Sequence, residues 1–330
     1  MLFKRLGITL VVFFSILFNF NVYAAELFLG GDSIGIDLNY NGIIITGTYN
    51  IKIDGKSYDP SHEGYCEGDL ITHVNGKKVE TINELTKEIE KRLSMSQKIM
   101  LTYLHDHQRK TSQLFIQNKD NQFSTGLYVA DGISGVGTLT YYNPSNQHYG
   151  ALGHMMMDTS LKTSVENVKG SIYQAKITDI IKSQINDPGE KIADISYIHK
   201  GNITDNNQYG IYGEYDKDKV KNKQVISSAS IDEITLGKAY FYTVINGEQI
   251  EKYEINITHL KKQDKSDVKG ISFEVVDQRI MKSCNGIIQG MSGSPIVQNG
   301  KLIGCVTHVD VNDPHKGYGL YIEWMLENDK

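Results

Sequence analysis

Apolar residues recur along this chain in short runs with a period of two, broken by glycine, asparagine and aspartate, and that spacing predicts strands. Ile34, Ile36 and Leu38 alternate behind a glycine-containing loop, and the isoleucine-rich run from Gly42 to Gly47 predicts a second strand. Leu70 to Val74 leads into Asn75-Gly76, a pair suited to a turn that needs positive φ. One stretch has a helical period instead. Thr81 stands where an N-cap belongs, Glu84 follows three residues on, and Ile82, Leu85, Ile89 and Leu93 share one face. Lys98 to Tyr103 and Ser112 to Gln117 predict closing strands.

Asn118 to Ser124 is polar and aperiodic, which predicts a linker at 118–124 between a first unit at 26–117 and a second at 125–330. The second unit opens with predicted strands at Gly126 to Ala130, Gly135 to Tyr142 and Tyr149 to Gly153. Ser171 to Ile177, Gly210 to Tyr215, Lys238 to Val244 and Lys252 to Thr258 continue the series with no sustained helical period. That many short strands with turn signals predicts a barrel or sandwich, so the fold class is mainly β.

Composition narrows the picture. A chain of 330 residues holds enough apolar side chains for two cores. A formal net charge of -5 argues against nucleic acid as a partner, because phosphate binding needs a basic face. Lys4 and Arg5, the apolar run Leu6 to Phe20 and the small-residue stretch ending at Ala25 have the order of a secretory signal over 1–25, either removed or kept as a membrane anchor. Three cysteines leave at least one unpaired; Cys284 and Cys305 could pair, and free, core-filling thiols at Cys66, Cys284 and Cys305 are expected. Neither a His-Glu-x-x-His motif nor a cysteine pair at zinc spacing is present, and Gly132 to Gly137 lacks the Lys-Ser/Thr of a phosphate loop. No metal and no cofactor is therefore expected.

The chemistry concentrates at Gly290-Met291-Ser292-Gly293-Ser294-Pro295, between the apolar stretches Gly286 to Gln289 and Ile296-Val297. A serine framed by glycines on a tight turn lifts its hydroxyl clear and leaves backbone N–H groups free for a ligand oxygen. His154 follows an apolar strand and a glycine, and Asp277 ends the strand Ile271 to Val276. Those residues suit a triad: Ser292 as nucleophile, His154 as base and then acid, Asp277 holding the histidine tautomer. The N–H groups of Gly290 and Ser292 would form the oxyanion hole. Ser294 is the rival nucleophile, disfavoured because it precedes Pro295 and lacks a following glycine; Asp158, four residues after His154, is the rival acid. His308 and His315 lie after the serine turn and are candidates to line the pocket. Gly286 to Gln289 contains no carboxylate, so a preference for small or apolar residues before the cut is expected.

Three resemblances add to this. The order of glycine loop, strands, Gly68-Asp69-Leu70-Ile71 to Asn75-Gly76 and amphipathic helix resembles a PDZ domain of the bacterial protease-associated type. The resemblance implies a peptide or chain terminus bound along Ser33, Ile34, Gly35 and Ile36, with Ile82 lining the groove. The serine turn, its hairpin and the following Gly-x-Gly strand look like the C-terminal half of a chymotrypsin-like double β-barrel serine peptidase. Gly150-Ala151-Leu152-Gly153-His154, the serine motif, and Val311-Asn312-Asp313-Pro314 leading to Gly317-Tyr318-Gly319 and Ile322-Glu323-Trp324-Met325-Leu326 resemble the stage IV sporulation protein B peptidase family. The resemblance implies a serine endopeptidase secreted across the forespore membrane into the space between forespore and mother cell. There it cleaves itself and a membrane-embedded regulator of an intramembrane protease, which leads to activation of a late sigma factor. It also implies that the catalytic acid lies 15 residues before the serine, at Asp277. The alternative is a PDZ-containing adaptor that keeps the protease shape and acts by binding alone.

Overall fold

The computed structural model describes residues 24–119, 122–157, 169–220, 222–263 and 265–329. Most of the stretch 1–25 expected to be a secretory signal, and all of Asp158, lie outside the described residues; among the described residues no helix is long and apolar enough to cross a membrane.

A short strand β1 (Glu26–Leu29) leads into β2 (Ser33–Thr48), one continuous strand where the sequence predicts two. Its first half buries Ile34, Ile36 and Leu38 in one core, and its second half carries Ile43 and Ile45 into another. The second core belongs to a small α+β unit. There β3 (Leu70–Val74), helix α1 (Ile82–Ser94), β4 (Ile99–His105) and β5 (Gln108–Leu114) follow in turn. Thr81 caps α1 as the sequence predicts, accepting from the Glu84 N–H, and Leu85 and Ile89 face the core.

The expected linker is a hairpin instead. Gln117–Lys119 pairs with Gln122–Ser124, and Phe123 packs against the small unit's core. The chain then enters β6 (Leu127–Asn143), again a single strand in place of two. β6 runs antiparallel beside β2 from Leu127↔Thr48 to Thr138↔Ser33, with register shifts at Tyr128/Val129 and Ala130/Gly132 that let the ladder bend from one core to the other.

This ladder corrects the boundaries at 26–117 and 125–330. The first half of β2 is a barrel strand, so the small unit is an insertion carried on two strands that the barrel owns. With β7 (His148–Ala151), β8 (Lys169–Ile181), β9 (Glu190–Ile203) and β10 (Gly210–Glu214), β2 and β6 make a ring in the order β2-β6-β7-β10-β9-β8. The ring closes through the bridge Gly201↔Tyr215 next to β10.

After β11 (Val225–Ser228) comes a second ring: β12 (Gly237–Val244), β13 (Ile250–Leu260), β14 (Ile271–Val275), β15 (Pro295–Gln298), β16 (Lys301–Asp310) and β17 (Asp313–Tyr321). Its order is β12-β13-β14-β17-β16-β15, with β15 closing onto β12 through Phe241↔Ile296. Phe241, Tyr253, Ile255, Phe273 and Ile296 fill it. Full burial of such a side chain stabilises by about 1.5–3 kcal/mol each, so either barrel carries a core of its own. Between β14 and β15 lies helix α2 (Gln278–Cys284), and helix α3 (Ile322–Glu327) follows β17.

β1 and β11 stitch the rings together: β1 pairs with both β6 and β11, and β11 runs parallel to β16. The mainly β class and the pair of barrels expected from the sequence are what these pairings build.

Candidate active site

The serine turn lies where the two rings meet. Thr138 of β6 donates its N–H to the Ser292 carbonyl (2.9 Å) and its hydroxyl to the Gly290 carbonyl (2.7 Å). Thr140 donates to the Gly293 carbonyl (2.7 Å), while from the second ring the Val306 carbonyl accepts from Gly293 N–H (2.7 Å). Gly293 has φ of +91°, and a Cβ there would lie 1.9 Å from the Thr138 carbonyl oxygen, so only glycine fits.

The two serines of the turn part ways. Ser294 is 0% exposed, its hydroxyl enclosed without a partner among the described residues. Ser292 is half-buried and donates its hydroxyl to the Thr307 carbonyl at 3.0 Å. Within the turn, the Met291 and Ser294 N–H groups bond back to Ile288 and Met291. Among the described residues the N–H groups of Gly290 and Ser292 take no acceptor, which leaves both free for an incoming oxygen.

His154 follows β7 after a reversal in which Leu152 and Gly153 both have positive φ. Its Nδ1 lies 2.8 Å from the Met155 carbonyl, so Nδ1 carries the proton and Nε2 is the bare, basic nitrogen. Burial pushes the pKa of His154 below 6.5, against a smaller upward pull from the Met155 hydrogen bond. Its ring lies 5.3 Å from that of His308, whose neighbour Thr307 accepts from Ser292. The His308 Nδ1 is buried with no partner among the described residues, and burial, with His154 beside it, pushes its pKa down to about 4. Of the two later histidines named from sequence, His308 thus stands at the site. His315 is about half exposed and pairs loosely with Asp313.

Asp277 does not meet His154. Its carboxylate caps α2, accepting from the Arg279 N–H (2.9 Å), from the Arg279 guanidinium (2.8 Å) and from Glu254 N–H (3.3 Å). The Arg279 guanidinium holds its carboxyl below the usual carboxylate range. The place at His154 Nδ1 that the sequence assigns to Asp277 is filled by the Met155 carbonyl.

The expected peptide edge is also absent. Ser33, Ile34, Gly35 and Ile36 pair with β6 on one side, and Ile34, Gly35 and Ile36 with β8 on the other; Ile34 and Ile36 are each 2% exposed. A strand with both neighbours in place has no N–H or C=O left to offer a peptide. Ile82 does line an apolar cavity of about 100 Å³ beside α1, but Leu127 and Val129 of β6 form its other wall. The chain's own strand lies where an added strand would go.

One residue at the site has no signature in the sequence. Lys191 of β9 is 4% exposed, and its Nζ contacts the hydroxyls of Ser33 (3.2 Å), Thr138 (3.3 Å) and Thr243 (2.8 Å) directly behind the serine turn. Burial pushes its pKa down to about 7. No motif marks it, because its partners lie on three strands far apart in sequence.

For metal, Cys66, Asp69 and His105 in the small unit bring donor atoms within 4.8 Å of one another. Both Asp69 oxygens are already taken, by His105 Nδ1 (2.7 Å) and Cys66 N–H (2.9 Å). All three cysteines are free, Cys66 exposed and Cys284 and Cys305 buried.

Two β-barrels meet at a glycine-framed serine bonded to Thr307, whose neighbour His308 faces the His154 ring at 5.3 Å, an arrangement that suits a serine peptidase. The chain belongs to the SpoIVB peptidase S55 family, whose model matches residues 121–326. Among solved structures, an inactive alanine mutant of Rv3671c from M. tuberculosis H37Rv aligns at 12% identity and TM-score 0.32, over 59% of this chain and 81% of that one. The active form of the Rv3671c protease from M. tuberculosis aligns at 13% identity and TM-score 0.30, over 59% and 72%. No curated protein matches.

Proposed function

We propose that this peptidase is an endopeptidase in which Ser292 attacks the scissile carbonyl while His154 Nε2 takes its proton. The supporting observation is the division between the two serines: one hydroxyl is enclosed, and the other is half-buried in a turn where, among the described residues, two N–H groups take no acceptor. As substrate enters, the Ser292 hydroxyl turns from the Thr307 carbonyl to His154, and its oxygen bonds to the carbonyl carbon. The carbonyl oxygen, now negative, falls between the N–H groups of Gly290 and Ser292; a single such donor is typically worth about 2.7–4 kcal/mol. His154 then gives the proton to the leaving amine, and water repeats the sequence to free the enzyme. The Met155 carbonyl fixes the tautomer this requires. Asp277 takes part directly only if Arg279 releases it.

Family membership and the signal-like order of Lys4, Arg5 and Leu6 to Phe20 support a finer reading. The enzyme is exported across the forespore membrane and is tethered there or released. It cleaves itself and a membrane-embedded regulator, and so signals to the mother cell that a late sporulation sigma factor is to be activated. The small unit, read as a PDZ-type module, is then an internal brace whose strand site is taken by β6.

Purified protein lacking residues 1–25 is expected to nick itself, and Ser292→Ala and His154→Ala each to stop it with the fold intact. Equal persistence of all three proteins would favour the adaptor that acts by binding alone.

A further inference from the structure

Lys191 is a buried titratable group that the reaction above does not use. Among the described residues no carboxylate pairs with it, and its three partners are neutral hydroxyls. Ser33 and Thr138 come from the first barrel and Thr243 from the second, so the nitrogen sits in the seam between them. A lysine buried this way is costly unless its hydrogen bonds are needed. Ser292 is not among those partners.

Its contacts converge on Gly290. The Lys191 backbone N–H donates to the Gln289 carbonyl (3.1 Å), and because C=O and N–H of one planar peptide point opposite ways, this aims the Gly290 N–H away from β9. On the far side of Gly290, Lys191 Nζ donates to the Thr138 hydroxyl, which in turn donates to the Gly290 carbonyl (2.7 Å). The lysine stem packs against Gly290 itself, where a Cβ would meet its Cβ, Cγ and Cδ at 3.1–3.2 Å. Both peptides flanking Gly290 are thus tied to one side chain and its backbone.

We propose that Lys191 is the positioning residue of the oxyanion hole: it clamps the two peptides on either side of Gly290 to the seam between the barrels and keeps the Gly290 N–H aimed at the reacting oxygen. This rests on Ser292 being the nucleophile. A hole built this way is preformed by a hydrogen-bonding pin that spans both barrels.

The test is steady-state hydrolysis of p-nitrophenyl acetate by the chain lacking residues 1–25. Lys191→Met, close in volume and uncharged, is expected to lower kcat by about 100-fold, the scale of losing one oxyanion donor, with KM within about threefold. The acid limb of the pH profile stays in place, because His154 is untouched. Thr138→Val breaks the relay to Gly290 and is expected to reproduce the loss, and Thr138→Ser, which keeps the hydroxyl, to recover most of it. Should Lys191→Met fail to fold, the Thr138 pair carries the same expectation. Lys191→Met or Thr138→Val with kcat within threefold of the parent, or a loss seen in KM alone, overturns the clamp while leaving Ser292 as nucleophile. Hydrolysis that survives Ser292→Ala overturns both.

Discussion

At the scale of single residues the site depends on a proton being in the right place. His154 works as a base only when neutral, and its burial with Nδ1 committed to Met155 lowers its pKa below 6.5. The acid limb of kcat/KM against pH is therefore expected to have its midpoint below that of an unperturbed histidine. His308 adds a stability effect of the same sign. Its folded pKa of about 4 lies below the unfolded value of 6.5, so the unfolded chain binds more protons between them and the fold loses stability as pH drops through that window. His308→Gln is expected to flatten this loss in urea titrations at pH 7 and pH 5. The glycines single out Ser292 in the sequence, and in the fold Ser294 is the serine whose hydroxyl is enclosed. The orienting group at His154 was not legible, since a backbone carbonyl has no residue signature.

Among the elements, the serine turn is the most constrained. Gly293→Ala would drive a Cβ into the Thr138 carbonyl and hold alanine at φ of +91°, for an expected loss of about 2–5 kcal/mol in chemical denaturation. Asp277→Ala removes the cap of α2 and the anchor of Arg279, with an expected loss of about 0.5–2 kcal/mol by the same measurement. Helix α1 was legible to its cap because Thr81, Glu84 and the apolar face all report local geometry. For β2 and β6 the sequence pattern predicts two strands each. Glycines at 42 and 132 and changes of apolar face look like chain breaks, whereas in the fold they let one ladder serve two cores.

For the molecule as a whole, the shared ladder decides what folds alone. The sequence places a boundary at 118–124, yet a chain beginning at residue 125 would lack β1 and β2, and with them Leu27, Ile34, Ile36 and Leu38 from two cores. Such a fragment is expected to be unfolded by circular dichroism, whereas one beginning at residue 26 folds. Long-range strand pairing of this kind leaves no local trace, which is why both barrels were foreseen as a class but not their ownership of the N-terminal strand. The claim on which the whole account turns is the identity of the nucleophile at the seam of the barrels. Labelling the folded protein with a fluorophosphonate and locating the adduct by mass spectrometry tests it most directly. The adduct is expected on Ser292, and to be lost in His154→Ala; an adduct on Ser294, or none on a folded protein, would contradict it.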